Sequence, residues 1–170
     1  GSMSNSIRGL FGRGEYNVGS RYYTNAIDYI TIETLGNAAD FGDLTDIASA
    51  GAACSNSVRG VHNLGSADSA ADSNILEYIT IATLGNAIDF GDLTVGRNSA
   101  GACSSSTRGV WGGGRDPSPE NNVNVMDYIQ FASTGNAVDF GDTDRTTGSS
   151  NASKEARAMC GISNGHGGLG

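Results

Sequence analysis

Positive charge is scarce in this chain: ten Lys and Arg stand against eighteen Asp and Glu, for a net charge of −8. That balance argues against nucleic acid as a partner, because such binding rests on cations that neutralise phosphates. No basic amphipathic stretch is present to lie on a membrane surface, no apolar run approaches 18 residues, and no signal-peptide pattern is visible. Histidine is nearly missing too. His62 and His166 fall at unrelated points without a His-Glu-x-x-His motif, so neither a zinc nor a copper centre is supported, and both read as loop residues. Gly-x-Ser-x-Gly is absent. Three cysteines do not suggest a disulfide framework. Gly1-Ser2 ahead of Met3 reads as a tag remnant and start methionine, leaving 4–170 as a single repeat domain.

What the chain does have is glycine, 26 residues of it, with Ser, Thr and Asn between short apolar runs, a mixture that suits strands and tight turns. It also says nearly the same thing three times. Asn25 to Thr45 recurs from Asn74 to Thr94 and, more weakly, from Asn124 to Thr143, with Tyr29, Tyr78 and Tyr128 at steps of 49 and 50. A period of this size marks one supersecondary unit stacked against copies of itself. The units are placed at about 6–48, 49–97 and 98–145. Cys54 and Cys103 each follow the Asp of Asp-Phe-Gly-Asp by 14 residues. Equivalent positions in stacked units are too far apart to bridge, so both are read as small apolar fillers.

Each unit resolves into four strands. The first is small and weakly apolar (Ser49 to Cys54, Ser99 to Cys103), and the second follows a polar turn (Val58 to His62, Thr107 to Trp111). The third, Ile75 to Ala82, is rich in β-branched and aromatic residues on both faces. Gly85-Asn86 is expected to form a two-residue hairpin loop into the fourth strand, Ala87 to Leu93. A sheet apolar on both faces must be sandwiched, and its neighbours are the other copies.

Four-stranded units of about 50 residues match β-propeller blades. Arg97 to Cys103, followed by Arg108-Gly109-Val110-Trp111-Gly112-Gly113-Gly114, with Tyr128 and Phe140 downstream, resembles the kelch repeat. The paired glycines are missing from the second copy and altered in the first. The wording Tyr-Ile-Thr-Ile-Ala and Gly-Asn-Ala-x-Asp-Phe-Gly-Asp-Leu-Thr is similar to kelch-like repeat proteins of marine phages and environmental bacteria. The resemblance implies an all-β fold, a β-propeller with four-stranded kelch-like blades, three per chain, and a virion or cytoplasmic setting. It carries no catalytic motif and no cofactor, so the expected protein is a non-enzymatic structural or binding module.

The chain is expected to begin at a second strand, Ser6 to Gly12, and to end on a lone first strand at about 156–163, cut out of phase with the blade. Three blades are too few to close a ring, which typically takes 4–8. Two chains head to tail give six, so an obligate homodimer is expected. A fragment of a longer chain, a nine-bladed trimer, a non-propeller stack and a designed or reconstructed propeller fragment without a ligand are the alternatives.

Asp-Phe-Gly-Asp supplies Asp40 and Asp43, Asp89 and Asp92, Asp139 and Asp142. As a kinase signature it lacks its companions. Its carboxylates suit Ca²⁺, which gives the alternative of a calcium-dependent lectin or an enzyme using the central pocket. The structural reading is that Phe41, Phe90 and Phe140 plug between blades while glycine permits a bulge, and that Arg8, Arg59 and Arg108 pair with the repeated carboxylates to fix register. The three copies differ most between their second and third strands. Tyr16, Tyr22 and Tyr23, Asp68 and Asp72, and Arg115 fall there, with Trp111 close by. These loops share one topological position, so they should crowd one rim and offer a protein- or glycan-binding face.

Overall fold

The computed structural model describes residues 1–12, 15–17, 21–67, 72–116 and 121–144, and within them every regular element is a β-strand. The first antiparallel sheet takes β1 (Ser2–Ser4), β2 (Arg8–Gly12), β5 (Ala26–Thr31) and β6 (Ala39–Asp43), in that order. The small hairpin of β3 (Glu15–Asn17) and β4 (Arg21–Tyr23) extends its middle connection. The second sheet has β7 (Ala48–Ser49) and β8 (Ala53–Ser55) along successive parts of β9 (Arg59–Ala67), then β10 (Asp72–Thr80) and β11 (Ile88–Asp92). The third repeats the first with β12 (Gly101–Ser104), β13 (Arg108–Gly112), β16 (Val125–Gln130) and β17 (Val138–Asp142), its added hairpin being β14 (Arg115–Asp116) with β15 (Asn121–Asn122).

The local causes repeat with the sequence. A side-chain oxygen closes each turn into the second strand: Asn5 Oδ1 accepts from the Ile7 and Arg8 amides, Asn56 Oδ1 from Val58 and Arg59, and Ser105 Oγ from Thr107 and Arg108. The pairing of third and fourth strands slips at one place in every copy, opposite Phe41, Phe90 and Phe140, where the glycine after each Phe adopts φ of 145°, 143° and 133°. This is the bulge expected of Asp-Phe-Gly-Asp.

The sheets stack face to face through two cores. Met3, Leu10, Ile27, Phe41 and Leu44 of the first sheet meet Ile79, Ile81 and Ala87 of the second. Cys54, Val61, Leu76, Phe90 and Leu93 of the second then meet Trp111, Ile129, Phe131 and Ala137 of the third.

Several expectations need correction. The strand expected to be missing from the first copy is present as Ser2–Ser4, with Met3 buried against the second sheet. The small first strands run Ala53–Ser55 and Gly101–Ser104, because Ala50 and Ser99, at φ of 56° and 54°, break the extended run before them. His62 is buried inside β9 and is no loop residue. Gly85-Asn86 does not make a two-residue hairpin: the last pair is Tyr78 with Ile88, the turn lies at Thr80 to Thr83, and residues 81–87 form a longer loop. The closing strand expected at 156–163 lies outside the described residues.

Candidate interaction surface

That longer loop joins the sheets. The Gly85 amide donates to the Phe41 carbonyl (2.9 Å), the Ala87 amide donates to the Asp43 carbonyl (2.7 Å), and the Asp43 amide donates back to Asn86 Oδ1 (3.0 Å). Between the second and third sheets, Gly135 donates to Phe90 (2.7 Å), Ala137 to Asp92 (2.7 Å), and Asp92 to Asn136 Oδ1 (3.2 Å). The backbones come close enough to require glycine. A Cβ on Gly42 would lie 2.5 Å from the Gly85 carbonyl oxygen, and one on Gly91 would strike that of Gly135. The loop's NH groups can face the neighbouring sheet because Gly85 and Gly135 hold φ of 150° and 148°.

Three further contacts recur at each joint. The Arg8 guanidinium lies over the Tyr29 ring at 5.1 Å and donates to the Ile81 carbonyl at 2.9 Å; Arg59 lies over Tyr78 at 4.9 Å and donates to the Phe131 carbonyl at 2.7 Å. Along the inner strands, Ser55 Oγ donates to the Ser4 carbonyl and Ser104 Oγ to the Ser55 carbonyl. At the middle of each joint a carboxylate is buried. Thr45 gives Glu77 Oε2 both its amide (2.8 Å) and its hydroxyl (2.7 Å), with His62 Nδ1 3.9 Å from the other oxygen. Thr94 Oγ1 donates to Asp127 Oδ1, and Arg97 Nη2 donates to Asp127 Oδ2 at 2.7 Å. Burial pulls the Arg97 guanidinium below its ordinary range, and the charge of Asp127 opposes that pull.

Among the described residues, the two outer faces of the stack make none of these contacts to a neighbouring sheet. Phe11 is 52% exposed, although its counterparts His62 and Trp111 are buried, and Ile32 is 49% exposed where Ile81 and Phe131 are buried. Asp28 and Ala38 are exposed where Glu77 and Asp127, Ala87 and Ala137 are buried. On the far side, Phe140 is 52% exposed against 2% for Phe41 and Phe90, and Cys103 is exposed where Cys54 is buried. Arg108 keeps its place over Tyr128 at 5.1 Å, but among the described residues no carbonyl receives it.

The expected site residues are therefore redistributed. Arg8 and Arg59 do not pair with the Asp-Phe-Gly-Asp carboxylates, since their guanidinium groups are taken by carbonyls of the next sheet. Asp40, Asp89, Asp139 and Asp142 stay exposed while Asp43 and Asp92 are half-buried; the inner Asp of the motif acts through its main chain. Among the described residues no three His, Cys, Asp or Glu side chains gather where a metal ion could be held. Phe41 and Phe90 plug joints; Phe140 does not. Trp111 leaves the proposed loop face altogether, fully buried, with its indole N–H given to the Ala52 carbonyl at 3.3 Å. Tyr16, Tyr22 and Tyr23 lie on β3 and β4, Asp72 opens β10 and Arg115 opens β14, so the expected loops are extended hairpins; Asp68 lies outside the described residues. Sequence reading missed Asn86 and Asn136, Thr45 and Thr94, and the Glu77 and Asp127 carboxylates. The signal was Gly-Asn-Ala, unchanged in all three copies. In comparisons with known proteins, no family model and no curated protein matches the chain.

Proposed function

We propose that the chain is a non-enzymatic structural and interaction module, a partial kelch-like β-propeller whose three sheets are three blades and which becomes a full ring by associating with itself. Two chains then give six blades. One observation carries the reading: the outer faces of the stack expose the residues that are buried at both internal joints. A soluble protein seldom leaves two such faces uncovered without a partner. The extended hairpins share one topological position on each sheet, and in this reading they form the rim that meets a protein or glycan, with Tyr22 and Tyr23 as stacking groups.

Mass measured in solution by light scattering tests the assembly. The expected value is twice the chain mass of 17.3 kDa, and a single-chain mass at all concentrations refutes it. A glycan array tests the rim: metal-independent binding lost in Tyr22→Ala is expected, and calcium-dependent binding abolished by Asp92→Ala speaks for a lectin instead.

A further inference from the structure

We infer that the exposed face of the third sheet is the docking surface for the first sheet of a second copy, seated in the register of the two internal joints. The inference rests on the self-assembly reading and specifies its contacts. Among the described residues, the joint groups left open at one end of the stack are matched by those left open at the other.

At the third sheet the Phe140 and Asp142 carbonyls occupy the positions at which Phe41 and Asp43, and Phe90 and Asp92, accept from the next loop. At the first sheet the Gly36-Asn37-Ala38 loop has the sequence of the two loops that donate, its Gly36 has the same kind of φ (159°), and it clasps nothing among the described residues. In the shared register Gly36 and Ala38 donate to Phe140 and Asp142, and the Asp142 amide donates to Asn37 Oδ1. Arg108 reaches the Ile32 carbonyl, as Arg8 reaches Ile81 and Arg59 reaches Phe131. The Thr143 hydroxyl meets the Asp28 carboxylate, as Thr45 meets Glu77 and Thr94 meets Asp127.

The glycines supply an independent steric match. A Cβ on Gly60 would strike the Met3 sulfur, and one on Gly109 would lie 2.6 Å from the Cys54 sulfur, so the sulfur of one sheet fills the recess over the glycine of the next. Gly9, the first copy of that glycine, has only its own sheet nearby, the closest atom being Ile30 Cγ1 at 3.4 Å. Cys103, the last copy of that sulfur, is exposed. Likewise the space over Gly42 and Gly91 is filled by the next loop, while nothing lies within 4 Å of a Cβ on Gly141. Such a joint is heterologous: it closes into a ring where the rotation permits, or propagates as a filament.

The test is a cysteine pair across the joint. Gly9→Cys fits the single chain, since a Cβ there meets only ordinary contacts. It places the introduced thiol of one copy against Cys103 of the next, within the reach of a disulfide. Mild oxidation is expected to give a covalent oligomer whose peptide mass map joins the peptide carrying the substitution to the peptide carrying Cys103. The double variant Gly9→Cys/Cys103→Ser is expected to give no such oligomer. Gly141→Ala should weaken self-association at least tenfold while the chain keeps its far-ultraviolet circular dichroism. Association without that disulfide in Gly9→Cys, or association unchanged in Gly141→Ala, overturns this interface and leaves self-assembly standing. A single-chain mass for the unmodified protein overturns both.

Discussion

Trp111, His62 and Phe11 occupy one position in three copies of one strand, and their environments differ because of what lies beneath them. Trp111 covers the second sheet and gives its N–H to a linker carbonyl, so truncation removes a core side chain and orphans that acceptor. Trp111→Ala should cost about 3–5 kcal/mol in urea unfolding; an intact fold with unchanged stability would contradict its place in the core. The depth of this side chain was not legible in the sequence, because an amphipathic aromatic at a strand end serves a rim as readily as a core. What decides it is the Ala52 carbonyl, distant in sequence. Cys54 provides a second check at this scale. Burial, with Cys103 as a lesser cause, raises its thiol well above the usual range. The unfolded chain's thiol ionises near pH ~8.5 while the folded one keeps its proton, so the folded state holds more protons above that pH. The Cys54 contribution to stability should therefore be constant below about pH 8 and fall above it, by up to about 1.4 kcal/mol per unit. Urea midpoints between about pH 7 and 10 measure this, and Cys54→Ala should flatten the decline.

Among the elements, the loop between third and fourth strands carries the joint, and its glycines can be compared within one molecule. Gly91 and Gly141 stand at equivalent sites with φ of 143° and 133°, so alanine meets a similar backbone penalty of about 1–3 kcal/mol at each. Only at Gly91 does the new Cβ also strike a carbonyl of the next sheet, adding about 1–3 kcal/mol of overpacking. Gly91→Ala should lower the unfolding free energy by that much more than Gly141→Ala, measured in dilute solution on the dissociated chain; equal losses would mean that the sheets do not close on that loop. The strands and their bulges were legible here, because β-branched runs and Asp-Phe-Gly-Asp act locally. Gly-Asn-Ala was misread for the opposite reason. Its composition is that of a tight turn, but its conformation serves hydrogen bonds to residues some 45 positions away, which no local window contains. The arginines were misassigned in the same way: a carboxylate is the usual partner by charge, yet the nearest acceptor is a carbonyl delivered by the adjoining sheet.

Across the whole molecule, stability in a stacked array is the sum of what each sheet holds alone and what each joint adds. Three sheets have two joints. Here each joint combines several main-chain hydrogen bonds, each worth roughly 0.5–1.5 kcal/mol, with a buried apolar core and a buried carboxylate. Among the described residues, the first and third sheets each have one such joint and one uncovered face, so they are the least supported parts of the stack. In the proposed ring every sheet has two joints, and the gain belongs only to the associated form. Mass action then ties the melting temperature to protein concentration, because dilution shifts the population toward chains with bare faces. Calorimetry over a hundredfold concentration range should show the midpoint rising with concentration, and Gly141→Ala should melt lower, with its rise displaced to concentrations at least tenfold higher. A concentration-independent midpoint for the unmodified protein, together with a single-chain mass, would mean that two joints suffice and that the bare faces serve some other contact.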